Sequence, residues 1–252
     1  AVTAPARDLR ARPGALVAAL QPWAEVAEAQ HRRLMDFADP EEAAEILWVG
    51  AGAARAAIWW ATRRTGHMAA IDPDAGSIAW AERTARSAGL GSRVTLQGAH
   101  ADDLPHTEAV FDIVVAMLVF DPAADPEAAI AQAARVVRPL QPVVIAVPVW
   151  SGSPVADAEV ELAEVGIRPR HLTAWKQVVR DAGLVEITAE TVMRDGRWLA
   201  RGTIGAVVRA FSAAGFDGAR TAVSRPVRTL RALARRGAIG LAMVRGVRWP
   251  AE

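Results

Sequence analysis

The amino-acid sequence predicts an α/β fold with a Rossmann-like, doubly wound and mostly parallel sheet. Short apolar runs alternate with helical segments across residues 45–193, a pattern typical of parallel strands covered by helices on both faces. The first run, 46–49, leads through a glycine-rich turn into a helix, where the backbone can approach a ligand closely. The second run, 68–71, is followed by Asp72, which is well placed to accept hydrogen bonds from a ribose. These observations predict a site for an adenosine-containing ligand.

The same patterns place the individual elements of this core. Short apolar runs bounded by turn residues predict strands, and apolar positions at helical spacing predict helices. The expected strands are 46–49, 68–71, 93–97, 111–116, 143–147 and 184–193, and the expected helices are 53–64, 75–88, 126–137 and 172–182.

Two further regions flank this core. Residues 1–44 carry four prolines between short helical stretches, and the pattern of 21–36 predicts an amphipathic helix within an N-terminal helical cap. The cap either covers the ligand site or packs on the edge of the sheet. Residues 194–252 are expected to form a basic C-terminal region of the same domain.

The charge of the chain is distributed unevenly. Residues 194–248 hold twelve arginines and two acidic residues, although the formal net charge of the whole chain is only +1. Arg228, Arg231 and Arg235 fall on one face of a predicted helix. Such a face can recruit an anionic substrate, a membrane surface or nucleic acid, or it can be a solvated face that complements the acidic remainder of the chain. Both interpretations stay open.

The composition excludes several kinds of site. The chain has no cysteine, which rules out disulfides and thiolate metal ligands, and its five histidines lack the spacing of a metal site. No metal is therefore expected. The first residues lack the apolar region of a signal peptide, and the longest apolar run, 143–150, is too short to span a bilayer. We expect a soluble, cytoplasmic protein.

The turn after the first strand differs from dinucleotide-binding and phosphate-binding loops. Arg55 occupies the position where the dinucleotide fingerprint needs a small residue. A P-loop needs a lysine after its glycines, and the only lysine of the chain is Lys176. The segment Leu47–Gly52 instead resembles motif I of the class I S-adenosylmethionine-dependent methyltransferases, written apolar-x-acid-apolar-Gly-x-Gly-x-Gly.

The resemblance continues beyond this motif in the order of the family. Asp72 follows the second strand as in motif II, and 99–105 resembles the loop that encloses the adenine. Further segments resemble the fourth strand, the helix and turn before the fifth strand, and the helix before the sixth, at 111–118, 133–139 and 175–184. In related methyltransferases a helical insertion precedes an antiparallel seventh strand, which the resemblance places at 200–236 and 238–250.

The resemblance implies S-adenosylmethionine as the cofactor and a set of residues that bind it. Asp72 would hold the ribose hydroxyls, and the 99–105 loop would enclose the adenine. The residues expected to line the cofactor are Gly50, Ala51, Gly52, Asp72, Pro73, His100, Ala101, Asp102 and Met117.

Five positions differ from the family pattern. Trp48 stands where the family has an acid that supports the turn and the methionine end of the cofactor. His100 replaces an Asp that accepts a hydrogen bond from the adenine, and Ala54 replaces the third glycine, a mild change if its φ is negative. Leu140 and Gln141 replace two glycines before the fifth strand. These differences leave the fold prediction intact and bear on cofactor affinity.

The resemblance implies methyl transfer to a hydrophobic small molecule, as in the methyltransferases of the ubiquinone-biosynthesis-like type. An apolar pocket would suit such an acceptor. The motif that grips a flipped nucleic-acid base is absent after the fourth strand, so no nucleic-acid partner is expected. The residues expected to line the acceptor pocket are Met117, Leu118, Val149 and Trp150.

The sequence names no catalytic residue. Methyl transfer needs proximity and exclusion of water, with a general base only if the acceptor is a hydroxyl. His31, His106 and His171 are candidate bases, although each is more often explained as a surface or core histidine. Two alternatives to a methyltransferase stay open. One is a non-catalytic binding or scaffold protein, and the other is an enzyme that catalyses a cyclisation or rearrangement on this fold.

Overall fold

The computed structural model describes residues 28–51, 54–73, 75–117, 125–163, 167–193, 228–229 and 232–250. Within these ranges the helices are α1 (Glu28–Ala38), α2 (Arg55–Ala61), α3 (Ala75–Ser87), α4 (Pro126–Val136), α5 (Ala156–Ala163) and α6 (Leu172–Asp181). The strands are β1 (Ile46–Val49), β2 (Met68–Asp72), β3 (Val94–Gly98), β4 (Ile113–Met117), β5 (Pro142–Trp150), β6 (Arg170–His171), β7 (Leu184–Met193) and β8 (Ile239–Arg248).

These strands form one sheet in the order β3-β2-β1-β4-β5-β8-β7, with β6 beside the end of β5. β8 runs antiparallel to both of its neighbours, and the other pairings are parallel. The predicted fold class, a mostly parallel doubly wound sheet with an antiparallel last strand, is therefore confirmed. The sheet has eight strands rather than the predicted seven, because 170–171 pairs with Val149 and Trp150 as an additional short strand.

The sheet is covered on both faces, and alternate residues of β1 belong to different cores. Leu47 and Val49 lie in a cluster with residues of α4 and α6. Ile46 and Trp48 lie in a cluster with residues of α1, α2 and α3. All residues of β1, β2 and β5 are buried. Burial on both faces explains why these strands are continuous apolar runs in the sequence.

Strand β5 is longer than the predicted 143–147 and contains two prolines, Pro142 at its start and Pro148 near its end. Among the described residues its pairing with β4 reaches Ala146, so Pro148 lies beyond the last of these pairs. The carbonyl of Pro148 accepts a hydrogen bond from the indole Nε1 of Trp175 at 3.0 Å. The proline therefore anchors α6 to the sheet instead of ending the strand.

Several helices differ from their predicted bounds. α2 has seven residues, whereas 53–64 was expected to be helical. α5 was not predicted at all, and it buries only Ala158 and Leu162. Much of the expected cap helix 21–36 and most of the expected insertion 200–236 lie outside the described residues. No helix of the described part of the chain is long and apolar enough to cross a membrane.

Arginine side chains form ion pairs and hydrogen bonds along the amino edge of the sheet, which is the edge at which the parallel strands begin. Arg138 pairs with Asp112 just before β4, and Arg248 pairs with Glu108. Arg248 also donates through Nη1 to the carbonyls of Arg135 and Val137, each at 2.7 Å. These contacts fix the end of α4 and the start of the turn that leads into β5.

Leu140 lies in that turn with φ of +64°, in the left-handed region that favours glycine. Its backbone N–H donates to the carbonyl of Arg248 at 2.7 Å. The side chain is 60% exposed, so it gains little from packing. A leucine therefore adopts a glycine-like conformation at a position where the family pattern has a glycine.

Candidate functional site

The strand register brings the ends of four neighbouring strands together at the carboxyl edge of the sheet. Val49 at the end of β1 pairs with Ile71 on one side and with Ala116 on the other. Asp72 at the end of β2 pairs with Gly98 of β3. Strand order reverses between β1 and β4, and ligands of open α/β sheets bind in the crevice at such a point. Apart from Gly52, which lies outside the described residues, the predicted cofactor-binding residues lie along this edge.

The turn after β1 requires a glycine at position 50. Gly50 has φ of +71°, and a Cβ added to it would lie 2.8 Å from the carbonyl oxygen of Met117 at the end of β4. The next residue, Ala51, is buried and donates its N–H to the carbonyl of Ile71 at 2.9 Å. The backbone of this turn therefore packs directly against the neighbouring strands and leaves the crevice free of side-chain atoms from position 50.

Ala54 has a backbone conformation that favours glycine. Its φ is +53° and its ψ is +23°, a left-handed conformation, and the residue caps the start of α2. The expectation of a mild change assumed a negative φ, so it is wrong: an L-residue in this conformation costs roughly 1 kcal/mol. Because Ala54 is buried and its N–H donates to the carbonyl of Ala51 at 2.8 Å, the turn itself imposes this strain.

Asp72 is the buried acid at this edge. The residue is 1% exposed, and it ends β2 next to the turn that contains Gly50. Its backbone carbonyl accepts a hydrogen bond from the N–H of Ala99 at 3.2 Å. The half-buried Pro73 follows it. This position suits a carboxylate that accepts hydrogen bonds from a ligand lying across the ends of β1 and β2.

The loop after β3 begins beside Asp72. Ala101 and Leu104 are buried, Asp102 is half-buried and His100 is exposed. The N–H of Asp103 donates to the carbonyl of His100 at 3.3 Å. The loop thus inserts two apolar side chains into the core and leaves His100 and Asp102 accessible beside the crevice.

Trp48 provides no carboxylate to accept a hydrogen bond where the family pattern has an acid. It is 2% exposed and meets Trp60 of α2 edge to face, with ring centroids 5.2 Å apart and planes at 89°. The indole therefore replaces a carboxylate by apolar packing between β1 and α2. Any hydrogen bond that the family's acid makes to the cofactor side has to come from another group.

The predicted acceptor pocket cannot have the composition expected from the sequence. Successive residues of a strand point to opposite faces, and Val149 packs in the cluster of Trp175 and α6. Trp150 therefore faces the other side of the sheet, where Met117 also packs. The expectation that Val149 and Trp150 line one pocket is wrong. Leu118 lies outside the described residues.

The candidate bases are dispersed. The ring of His106 packs edge to face on Phe111, with centroids 5.0 Å apart, near the amino edge of β4 and away from the crevice. Burial, and secondly the charge of Arg135, lower the pKa of His106 below its ordinary value. His171 is exposed beside the end of β5, and the side chain of His31 lies outside the described part of the chain. Nothing in this arrangement identifies a catalytic base.

An arginine of α4 contributes to the site region, and the sequence had given it no role. Arg135 donates from Nη1 to the carbonyl of His106 at 2.8 Å and from Nη2 to the carbonyl of Leu104 at 3.0 Å. The side chain of Gln132, one turn earlier, accepts from the same guanidinium at 2.7 Å and 3.2 Å. The i, i+3 spacing of Gln132 and Arg135 was the available sequence signal, but it does not reveal the loop that they contact.

Comparison with known proteins agrees with this geometry. Residues 47–145 match the family model of a methyltransferase domain. Among solved structures, the 4+2 cyclase SpnF has a TM-score of 0.75 at 18% identity, over 98% of this chain and 99% of that one. A putative sarcosine dimethylglycine methyltransferase from Galdieria sulphuraria has a TM-score of 0.74 at 15% identity, over 91% and 88%. A geranyl diphosphate methyltransferase in complex with SAM has a TM-score of 0.67 at 14% identity, over 97% and 92%.

The family match and the shared fold agree with each other. Residues 47–145 match the model of a methyltransferase domain, and the chain has the same fold as solved methyltransferases. Both findings agree with the family predicted from the sequence. The predicted cofactor, S-adenosylmethionine, agrees with this family and with the neighbour solved in its presence. One neighbour is a cyclase, so the fold alone does not fix the reaction.

Proposed function

We propose that this protein transfers a methyl group from S-adenosylmethionine to a hydrophobic small molecule in the cytoplasm. The observation that carries the proposal is the juxtaposition of Gly50, Asp72 and the 99–102 loop at the reversal of strand order. The backbone of Gly50 leaves the crevice open, and the buried Asp72 ends the adjacent strand. These groups fit the adenosine part of the cofactor.

Different residues of the protein would bind different parts of the cofactor and orient it. Asp72 would accept hydrogen bonds from the ribose hydroxyls, and the backbone of Gly50 and Ala51 would face the cofactor closely. Ala101 and its neighbours would flank the adenine, with His100 and Asp102 at the rim of the crevice. The bound cofactor supplies an electrophilic methyl group on a sulfonium. The protein's task is then to hold the acceptor in line and to exclude water.

The apolar character of the face next to the crevice supports a hydrophobic acceptor. Met117 ends β4 beside Gly50, and Trp150 ends β5 on the same face of the sheet. The indole Nε1 of Trp150 is buried without a hydrogen-bond partner among the described residues. The apolar side chains of this face favour an acceptor with an apolar body, such as a quinone, a lipid or a polyketide-like metabolite.

The first test is titration of the protein with S-adenosylmethionine by calorimetry. We expect a micromolar dissociation constant, equivalent to about −8 kcal/mol. Replacing the buried carboxylate by Asp72→Ala should weaken binding by about tenfold, because the ribose loses a charge-assisted hydrogen-bond acceptor.

Asp103→Ala is the matched control, since Asp103 is an exposed acid at the same edge with no proposed contact. Its affinity should stay at the wild-type value. Equal affinities of the wild type and Asp72→Ala would refute the ribose contact. Absence of binding in the wild type at millimolar cofactor would favour a non-catalytic binding protein.

A second candidate function is a cyclisation on the same fold. It is favoured by the match to SpnF over nearly the full length of both chains. It is also favoured by Trp48, which removes an acid from the cofactor side of the family pattern. The two functions differ in their products. A methyltransferase forms one S-adenosylhomocysteine per turnover, whereas a cyclase converts its substrate without forming any.

A further inference from the structure

The loop 99–105 is held at its start by the sheet. Gly98 pairs with Asp72, and the N–H of Ala99 donates to the carbonyl of Asp72 at 3.2 Å. After that point the chain leaves the sheet and meets the end of α4, where the N–H of Ala109 donates to the carbonyl of Arg135 at 3.1 Å before β4 begins. The conformation of positions 100–103 therefore depends on how the far end of the loop is held.

Arg135 holds that far end through backbone contacts. Its guanidinium spans the carbonyls of Leu104 and His106, and Gln132 orients it through two further hydrogen bonds. The planar fork of an arginine can bridge two acceptors in a fixed geometry, which a lysine cannot do. Since Leu104 is also buried, the loop is fixed here by both packing and hydrogen bonds.

Two nearby arginines behave differently. Arg138 and Arg248 each pair with a carboxylate, Asp112 and Glu108 respectively. Arg135 makes no ion pair among the described residues, and its side chain donates to neutral carbonyl and amide oxygens. The side chain of Arg135 therefore holds backbone carbonyls, whereas those of Arg138 and Arg248 each pair with a carboxylate.

We propose that Arg135 is a positioning residue for cofactor binding, which sets the conformation of the loop beside the adenine by holding the far end of that loop against α4. The inference rests on the proposed function, because it assigns the 99–102 segment to the cofactor. Arg135 itself is not placed in contact with the ligand. It acts through the carbonyls of Leu104 and His106, and so through the loop.

The test combines cofactor affinity with local backbone exchange. Arg135→Ala, Arg135→Lys, Gln132→Ala and the control Arg138→Ala are titrated with S-adenosylmethionine at least about ten degrees below the lowest unfolding midpoint. We expect Arg135→Ala to weaken binding about tenfold and Arg135→Lys to restore only part of the loss. Gln132→Ala should weaken binding about threefold, and Arg138→Ala should bind like the wild type.

Amide hydrogen exchange separates positioning from a general structural role. In Arg135→Ala, exchange should accelerate at residues 100–104 while the strands β1 and β2 keep wild-type protection. Faster exchange throughout the sheet, or wild-type affinity in both Arg135→Ala and Gln132→Ala, would overturn the inference and leave the proposed function standing. If Arg135→Ala does not fold, the cofactor affinity and the amide exchange of Gln132→Ala test the inference by the same criteria. If the wild type does not bind the cofactor, the proposed function fails and the positioning role fails with it.

Discussion

The turn after β1 and the turn before β5 lie at opposite edges of the sheet, and both hold a non-glycine residue in the left-handed region. Ala54 in the first turn has φ of +53°, and Leu140 in the second has φ of +64°. Ala54 is 1% exposed beside the candidate cofactor crevice, whereas Leu140 is 60% exposed and far from it. The same kind of backbone strain can therefore affect stability alone or both stability and ligand binding, depending on where the residue lies. Both residues should lower stability by a similar amount, but only Ala54 is placed to affect ligand binding.

The largest effect is expected just below the first turn, at Trp48. Restoring the acid of the family pattern by Trp48→Glu should lower the free energy of unfolding by more than about 3 kcal/mol, because the carboxylate enters an apolar cluster and the contact with Trp60 is lost. Urea unfolding followed by far-UV circular dichroism measures this change.

Trp48→Phe serves as the control, since it keeps an aromatic ring against Trp60. It should cost no more than about 2 kcal/mol. Near-wild-type stability of Trp48→Glu would contradict the burial of this side chain and would mean that β1 can still accommodate the family's acid.

The two turns themselves are compared by restoring their glycines. Ala54→Gly and Leu140→Gly should each raise the free energy of unfolding by about 0.5–1 kcal/mol, because relief of the left-handed strain exceeds the added entropy of the unfolded chain. Ala54→Gly should also tighten S-adenosylmethionine binding by about threefold, since loss of the Cβ lets the backbone approach the ligand. Urea unfolding and calorimetric titration provide the two measurements.

Leu140→Ala is the control for the second turn, because it shortens the exposed side chain and keeps the strain. Its stability should stay within about 0.5 kcal/mol of the wild type. A change in cofactor affinity on Leu140→Gly would break the comparison, since it would couple the amino edge of the sheet to the crevice.

The smallest expected effect is the pH dependence of stability that His106 contributes. His106 lies on the segment between the carboxyl end of β3 and the amino end of β4. Burial and the charge of Arg135 lower its folded-state pKa below the ordinary value of 6.5. Above pH 6.5 both states are neutral and the full stability is present. As the pH falls through 6.5, the unfolded chain binds a proton before the folded state does, so stability decreases until the pH passes the folded-state pKa.

Urea unfolding of the wild type and of His106→Phe between pH 8 and pH 5 tests this dependence. The difference in stability between the two proteins should shift in favour of His106→Phe as the pH is lowered. Parallel pH profiles would show that His106 is not protected from protonation in the folded state.

Most of the sheet was predictable because its strands are buried on both faces. A continuous apolar run such as Ile46–Val49 predicts a buried parallel strand, whichever strands lie beside it in the sheet. The two-residue strand β6 carries no such signal, because its pairing depends on β5 being extended to Trp150. α5 was missed for a related reason, since it buries only two side chains and so has little helical periodicity.

The candidate site was predictable from the sequence where a single residue type determines the backbone conformation. It was not predictable where the role of a residue depends on a contact with another residue that is distant in the sequence. Gly50 could be inferred because only glycine fits its turn. The packing of Trp48 depends on Trp60, twelve residues later in the chain, which a motif comparison does not consider. Arg135 was given no role because its partners are carbonyls, and every residue has a carbonyl. The pocket containing Val149 and Trp150 failed because adjacent strand residues cannot share a face.

The order of β5, β8 and β7 in the sheet has a consequence for the folding of this protein during its synthesis on the ribosome. β7 leaves the ribosome before β8, yet β8 is its neighbour in the sheet. Until residues 239–248 have been synthesised, β7 has no partner and β5 presents an unpaired edge of buried-type residues. Such edges invite pairing with other chains. We therefore expect nascent chains that stop short of residue 239 to depend on chaperones, although the Gly50–Asp72 half of the sheet has already emerged.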